Sequence, residues 1–381
     1  MKIGIMTQPL RKNYGGILQA YALQKTLLNL GHESVIINRV DGYPSAKLLL
    51  WRLASLLKCV FLKYVFGNGS VKFINPLSNE YITDSRKAYD YSNLDDFIAN
   101  NLKISLMKRT SRAVRSYLIK ESLDCIVVGS DQVWREEYSP KITDYFGGFL
   151  SSNDDVKLVA YAASFGIDSI PISNEKQSVC SELLRHFSAI SVREKSAKIL
   201  LRDMWNIKSD VVLDPTLLLT KSDYESLING YENGVVQIFS YMLDETEEKK
   251  HIVNRVSNLL GQDVVQTFLY PRNELGYAGK LTSVQEWLYN ISKASFVVTD
   301  SYHGCLFSII FNKPFLIIAN NKRGIGRFET ILTTLKLDHR LICSLDQVCE
   351  SLLYERLDYK SVNTIIKSLR QKSLSFLKNS L

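Results

Sequence analysis

The sequence predicts an α/β protein of two domains, each built on a mostly parallel β-sheet, that face each other across a cleft. Short apolar runs rich in β-branched residues alternate with longer segments of helical periodicity, as expected of buried parallel strands joined by helices. The length of 381 residues exceeds the usual size of one compact core. We therefore expect an amino-terminal domain of residues 1–185 and a carboxyl-terminal domain of residues 186–381.

The chain begins with a strand, a helix and a second strand. Residues 2–7 form the first predicted strand, residues 17–28 have one apolar helical face, and residues 33–38 form the next strand. Gly31 stands where a helix commonly ends. Further strands are predicted at residues 124–128, 157–163, 189–192, 210–213, 235–239, 263–268, 296–298 and 315–318, with helices near 245–260 and 283–291 and a helical region from 345.

The composition favours a folded protein with an anionic partner. The hydrophobic fraction is 46%, the charged fraction is 23%, and the net charge is +8 with a pI near 9.0. A positive protein attracts phosphate groups, nucleic acid, acidic glycans or the inner membrane surface. Nucleic acid is the least favoured of these, because the basic residues form no single stripe with interleaved aromatic residues.

The six cysteines include no CxxC pair and no histidine at metal-ligand spacing, so neither a zinc site nor a disulfide framework is predicted. Two of them, Cys125 and Cys305, lie in apolar runs and are expected to be buried thiols. No apolar stretch reaches the roughly 18 residues that span a bilayer. The amino terminus does not resemble a signal peptide, so we expect a cytoplasmic protein.

Residues 46–66 form a predicted basic amphipathic helix. Lys47, Arg52, Lys58 and Lys63 fall on one side at helical spacing, and large apolar residues take much of the rest. This profile is typical of a helix that lies on an anionic membrane. The alternative is a surface helix that packs its apolar face on its own domain and leaves the lysines in water.

Polar loops follow several predicted strands, where ligands bind in open α/β sheets. The loops hold Asn13, Gly15 and Gly16 after the first strand, and Asp131 after the strand at 124–128. Asp131 is a candidate base or hydrogen-bond acceptor, or it caps a helix beginning at Gln132.

Another loop, after the strand at 296–298, carries the most reactive set of side chains. It contains Ser301, Tyr302, His303 and Gly304 before a predicted helix, whose free N–H groups favour an anion. A histidine there adds a group that titrates near neutrality. The alternative is that Ser301 only caps the helix and His303 bonds to a neighbouring loop.

Six motifs occur together and in order over residues 1–340. They are Asn13–Gly16, Gly129–Trp134, Ser164–Gly166, Ser191–Lys195, Leu213–Thr216 and Thr299–Gly304. In this combination the chain resembles the polysaccharide pyruvyl transferase family. The resemblance implies two Rossmann-like domains in a GT-B-like fold with the site between them. It also implies phosphoenolpyruvate as donor and a sugar of a surface glycan or its lipid-linked precursor as acceptor, with no further cofactor and no metal.

The resemblance also suggests roles for individual residues. Arg193 contacts the donor and His303 is the general acid or base. A donor with a carboxylate and a phosphate needs cations, and arginine binds oxyanions bidentately. Ser301 and the N–H groups around Tyr302 and Gly304 would hold phosphate. Arg327 and Lys195 either add cations or remain solvated.

On the acceptor side, Asp131, Asn13, Gly15 and Gly16 come from the first domain and are expected to face the sugar. Trp134 either stacks on a sugar ring or belongs to the core, and Asp214 before Pro215 is expected to form a structural turn.

Two other functions remain open at this point. A GT-B-type glycosyltransferase that uses a nucleotide sugar would need acidic groups for a ribose and an aromatic slot for a base, and no clear example of either is evident in the sequence. A non-catalytic glycan- or phosphate-binding protein would retain Arg193 without needing a titrating His303.

Overall fold

The computed structural model describes residues 1–10, 13–42, 46–65, 91–231, 234, 236–244, 246–268, 281–320 and 323–381. The strands in this part are β1 (Lys2–Met6), β2 (Glu33–Ile36), β3 (Cys125–Val128), β4 (Lys157–Ala163), β5 (Ala189–Val192), β6 (Asp210–Val211), β7 (Ile238–Met242), β8 (Val264–Phe268), β9 (Phe296–Thr299), β10 (Phe315–Ile318) and β11 (Leu341–Ile342). The α-helices are α1 (Tyr14–Asn29), α2 (Ala46–Val65), α3 (Ser92–Asn101), α4 (Ser111–Glu121), α5 (Asn174–Leu184), α6 (Lys195–Trp205), α7 (Lys221–Glu225), α8 (Glu247–Leu260), α9 (Val284–Lys293), α10 (Tyr302–Ile310), α11 (Gly326–Leu335), α12 (Glu350–Tyr354) and α13 (Tyr359–Ser380).

The described strands form two sheets in which every strand pair is parallel, as predicted. The first sheet has the order β2-β1-β3-β4-β5-β6 and the second has the order β11-β10-β9-β7-β8. All residues of β3, β7, β9 and β10 are buried, because helices cover both faces of each sheet. The carboxyl ends of parallel strands point the same way, so each sheet presents its polar loops at one edge.

Each predicted strand overlaps an observed one, although β2 and β6 are two residues shorter than predicted. Two differences are larger. β7 begins at Ile238 and continues through Ser240 and Tyr241, whereas the apolar run had predicted residues 235–239. The two-residue strand β11 was not predicted, because Leu341–Ile342 is too short to stand out from its surroundings.

The predicted division near residue 185 does not separate the two sheets. β5 pairs with β4 and β6 pairs with β5, so both belong to the first sheet. The chain therefore enters the second sheet only at β7. Strand pairing decides this point, and the local sequence pattern does not show which sheet a short apolar strand joins.

The carboxyl-terminal helix α13 also packs against the first half, although the sequence placed it in the second domain. Ser373 Oγ accepts a hydrogen bond from Leu213 N at 3.0 Å, and the Arg370 guanidinium donates to Leu217 O and Leu219 O. The backbone oxygen of Leu381 accepts from Lys157 Nζ at 3.0 Å. The end of the chain thus ties the two halves together.

The predicted basic helix exists as α2, but it is not the surface helix of the alternative expectation, which would pack its apolar face on its own domain. Arg52 is buried, with 7% of its surface exposed, whereas Leu50, Leu57 and Phe61 are 68%, 70% and 54% exposed. The apolar side therefore faces solvent. Phe66, the last residue of the predicted helix, lies outside the described residues. Among the described helices, none is long and apolar enough to cross a membrane.

Candidate active site

The amino-terminal ends of two helices from different halves of the protein meet at one point. Asn13 caps α1 by accepting a hydrogen bond from Gly15 N at 3.0 Å, and Ser301 caps α10 by accepting from Gly304 N at 3.2 Å. A Cβ atom added to Gly15 would lie 2.1 Å from His303 Nδ1. The α1 backbone can therefore approach the imidazole only because residue 15 has no side chain. The first-turn N–H groups of both helices point toward this junction.

Arg193 lies directly after β5 and is fully buried among carboxylates. Its Nη1 donates to Asp214 Oδ2 and its Nη2 to Asp131 Oδ1, each at 2.9 Å, and its Nε lies 3.7 Å from Glu194 Oε2. Burial opposes the charged form, but Asp131 and Asp214 outweigh it and raise the pKa of Arg193 above its ordinary value. The guanidinium, expected to contact the donor, is thus already paired with residues of the protein.

Asp131 is held toward Arg193 by an unusual backbone conformation. Its φ of 74° is in the left-handed region, which aspartate tolerates better than most residues. No helix begins at Gln132, so the helix-capping role is wrong. Burial acts to raise the pKa of Asp131, but the charges of Arg193, His303 and Arg327 lower it below its ordinary value. Asp131 is therefore an anion in this site.

Asp214, which was expected to form only a turn, joins the cluster. Its Oδ1 accepts from the N–H and hydroxyl of Thr216, which fixes the turn, and its Oδ2 faces Arg193 and His303. His303 Nε2 lies 3.5 Å from Asp214 Oδ2 and has no hydrogen-bond partner among the residues that the structure describes. Although burial works in the opposite direction, the neighbouring His303 and Arg193 side chains hold the pKa of Asp214 well below its usual range.

The ring of Tyr302 contacts two guanidinium groups. The Cζ atoms of Arg193 and Arg327 are 4.9 Å and 5.2 Å from the ring centroid, within the range of cation–π attraction. Arg327 is 6% exposed, and its Nη2 donates to Arg323 O while its buried Nε has no partner in the described part of the chain. Burial and the neighbouring charge of Arg193 lower the pKa of Arg327 to about 10. Arg327 is therefore a buried cation with unused hydrogen-bonding capacity.

Several other residues considered from the sequence lie away from this cluster or have structural roles. Lys195 is exposed, and its backbone N–H donates to Thr330 Oγ1. Gly304 packs so closely on Thr299 that an added Cβ would lie 2.6 Å from its hydroxyl oxygen. Trp134 is fully buried and donates to Tyr145 O, so it belongs to the core. Ser301 makes the cap that the alternative interpretation proposed, although its hydroxyl hydrogen can still be donated.

Glu194 is a further member that sequence reasoning did not single out. It is 1% exposed, its Oε1 accepts from Phe165 N at 3.2 Å, and burial raises its pKa in spite of Arg193. Glu194 follows Arg193 in the same motif. Its position just after a buried strand is the feature of the sequence that could have identified it as a site residue. Glu194 fixes the loop of Ser164–Gly166 beside the cluster.

A cavity of about 80 Å³ lies beside Arg193, Asp214 and Tyr302. Its other walls come from β6, α11 and α13, including Ser373. Residues from both halves of the protein thus line the space next to the charged cluster.

The sequence model of the polysaccharide pyruvyl transferase family matches residues 13–322. This chain belongs to that family. The match includes the loop at Asn13, the Arg193 motif and the His303 loop, and Arg327 follows it. The family is one of transferases that act in polysaccharide biosynthesis. A comparison with curated proteins found no match.

Solved structures share the architecture at low sequence identity. UDP-N-acetylglucosamine 2-epimerase from Rickettsia bellii is 10% identical, with a TM-score of 0.50, over 100% of this chain and 96% of its own. The S. aureus MnaA structure with UDP is 12% identical, with a TM-score of 0.49, over 97% of this chain and 96% of its own. A glycosyltransferase from Rickettsia africae is 12% identical, with a TM-score of 0.48, over 100% and 94%. The fold of the present chain is GT-B-like.

Proposed function

We propose that this protein transfers the pyruvyl group of phosphoenolpyruvate to a sugar of a surface glycan or its lipid-linked precursor and forms a cyclic ketal there. Membership of the pyruvyl transferase family supports this reaction. The observation that carries the proposal is the buried pair of His303, in the first turn of α10, and Arg327, whose guanidinium lies on the ring of the neighbouring Tyr302. One is a histidine without a hydrogen bond at Nε2, and the other is a cation without a carboxylate partner at hydrogen-bonding distance in the described residues.

The donor's charges fit the groups that remain available. Arg327 Nε is an unused donor on a permanently charged fork, and such forks bind phosphate or carboxylate bidentately. The first-turn N–H groups of α10 and the Ser301 hydroxyl supply neutral donors beside it. Arg193 is committed to Asp131 and Asp214, so we assign it to holding the site together and Arg327 to the donor's anionic groups.

His303 is suited to the proton transfers of this reaction. A proton delivered to the methylene carbon of phosphoenolpyruvate leaves an oxocarbenium-like centre at the carbon that bears phosphate and carboxylate. A sugar hydroxyl attacks that carbon and gives its proton to a base. The bond between this carbon and the phosphate oxygen then breaks, phosphate leaves, and a second hydroxyl attacks the same carbon, gives its proton to the released phosphate and closes the ketal. Asp214, 3.5 Å from His303 Nε2, stabilises the imidazolium form between these steps.

We assign the acceptor to the surface formed by Asp131 and the α1 amino terminus. Asp131 is 13% exposed at its side chain, and Arg193 occupies its Oδ1. The other oxygen lies 3.8 Å from the position of a Cβ added to Gly16, so it faces the start of α1. Because its pKa is below the ordinary value, Asp131 is a weak base and acts as a hydrogen-bond acceptor for a sugar hydroxyl.

Calorimetric titration with phosphoenolpyruvate, alongside UDP-sugars, tests the donor assignment. Arg327→Met removes the available cation, and Lys195→Met removes an exposed cation from the same region as a matched control. Arg193→Ala is less informative, since removing one partner of a buried ion pair costs about 3–5 kcal/mol of stability. We expect the wild type and Lys195→Met to bind phosphoenolpyruvate and Arg327→Met to bind it at least about tenfold more weakly.

Other results would change the assignment. Binding of a UDP-sugar without binding of phosphoenolpyruvate would identify a nucleotide-sugar enzyme instead. Unchanged binding by Arg327→Met would contradict the role of that residue. Phosphate release on addition of glycan acceptors, abolished by His303→Gln, distinguishes a transferase from a binding protein.

A further inference from the structure

The helix α2 presents an apolar stripe to solvent. Leu50, Leu53, Leu57, Phe61 and Tyr64 are 68%, 40%, 70%, 54% and 72% exposed. Their spacing of three or four residues places them on one face of the helix. Large apolar side chains on monomeric soluble proteins are usually scattered singly, and a contiguous stripe on one helix marks an interaction surface.

The opposite face of α2 contacts the protein. Arg52 is buried, and Leu49, Ser55 and Leu56 are half-buried, so this side of the helix is covered and the apolar stripe is turned outward. Trp51 (66% exposed) and Lys58 (exposed) flank the stripe on one side. The helix sequence contains four basic residues and no acidic one.

We propose that α2 docks this protein on an anionic phospholipid bilayer, with the apolar stripe inserted at the boundary between headgroups and acyl chains. The charge decides between the possible occupants. A second copy of the chain would bring another helix without acidic residues and another net charge of +8 against the first, and like charges repel. An anionic lipid surface attracts both the helix and the whole chain. Trp51 and Tyr64 are the residue types that favour the level of the headgroups.

Docking on a bilayer would bring the protein close to a lipid-linked acceptor, whichever donor substrate it uses. A protein held on a bilayer shares a surface with any lipid-linked glycan, so its substrate need only diffuse in two dimensions. The inference stands on the surface of α2 alone, and its test contains no substrate. Its failure would therefore leave the donor assignment at His303 and Arg327 untouched.

Vesicle flotation tests the proposal with the full chain. Wild-type protein is expected to float with vesicles of phosphatidylcholine and phosphatidylglycerol in equal parts and to remain behind with phosphatidylcholine alone. Leu57→Asp/Phe61→Asp should lower the floated fraction at least about tenfold, and Lys58→Glu should lower it about fivefold or more. Ile199→Asp/Met204→Asp on α6 is the matched control, because both residues are exposed, at 49% and 61%, outside α2. High salt should weaken flotation.

Tryptophan fluorescence supplies a second readout that is local to α2. Of the four tryptophans, Trp134 and Trp287 are fully buried, Trp205 is 8% exposed, and Trp51 is 66% exposed. Anionic vesicles should shift the emission to shorter wavelength and protect it from acrylamide, and Trp51→Phe should abolish both effects.

Three results would overturn the proposal. They are wild-type protein that does not float, equal flotation of wild type and Leu57→Asp/Phe61→Asp, and flotation without a response from Trp51. Dimers of the wild type that Leu57→Asp/Phe61→Asp dissociates, without flotation, would identify the stripe as a contact between copies instead.

Discussion

The close approach of Gly15 to His303 predicts that one added methyl group inactivates the enzyme. In Gly15→Ala the new Cβ would lie 2.1 Å from His303 Nδ1, whereas ordinary van der Waals contact begins near 3.4 Å. The imidazole or the start of α1 must therefore retreat by about 1.3 Å, the difference between these distances. A misplacement of about 1 Å in a catalytic group costs on the order of a hundredfold in rate. We expect kcat/KM for phosphate release from phosphoenolpyruvate, with a sugar acceptor, to fall by about that factor.

Gly16→Ala is the matched control, because its added Cβ has no neighbour closer than 3.8 Å. Both substitutions place alanine in the first turn of the same helix, where it favours helix formation over glycine. Gly16→Ala should leave the His303 imidazole in place, since ordinary contact at 3.8 Å displaces no group. Gly16 borders the proposed acceptor surface, so the comparison uses the imidazole and not the activity. The chain has five histidines, so the imidazole nitrogen resonances of His303 can be assigned by comparison with His303→Gln and should move only in Gly15→Ala. Equal shifts of these resonances in the two alanine variants would refute the reasoning.

Three further predictions concern charge and contact between the halves. Arg327→Met should stabilise the protein against urea by about 1–3 kcal/mol, because it removes a buried cation whose pKa burial lowers to about 10, and an unchanged or lower midpoint would contradict this. Asp214 has a folded-state pKa below its ordinary value, so the unfolded chain takes up the proton first as pH falls. Its stabilising effect is complete above about pH 4 and is lost at lower pH. At neutral pH, Asp214→Asn should therefore melt at a lower temperature than wild type, since Arg193 loses a partner. On acidification, its Tm should fall by less than that of wild type. An equal fall of Tm in both proteins would exclude this coupling. Tyr14→Phe leaves Thr282 O without the hydroxyl that donates to it at 2.7 Å, and should cost about 1 kcal/mol in the same urea titration. An unchanged midpoint would mean that water replaces the contact.

The strands and the polar loops could be predicted because they depend on local pattern. β-branched apolar runs located the strands, and the parallel arrangement then placed Asp131, Arg193 and the His303 loop near one another. The membership of β5 and β6 in the first sheet could not be predicted in the same way, since it depends on pairing between distant segments. The return of α13 to the first half depends on contacts such as Ser373 with Leu213, which no local pattern shows.

The hydrogen-bond and ion-pair partners of the charged side chains could not be predicted from the sequence either. Arg193 and Arg327 are both arginines after strands, and only the structure shows that carboxylates occupy the first while the second keeps an unused donor. Asp214 was predicted as a turn residue and does hold a turn, but its second oxygen serves His303. The clue in the sequence was that Asp214 follows β6, the strand that pairs with β5, and that Arg193 follows β5. The double role of Asp214 is visible only in the structure, which places its neighbours.

Because α1 and α10 come from different halves of the protein, the proposed chemistry requires the two halves to be in contact. Asp214 follows the last strand of the first sheet, whereas His303 belongs to the second, and 3.5 Å separates them. In the proposed reaction, any parting of the two halves would take His303 away from the carboxylate that stabilises its charged form. An open molecule would then be unable to protonate the enol of phosphoenolpyruvate. The proposed proton donor and its supporting carboxylate would thus be complete only while the two halves are in contact.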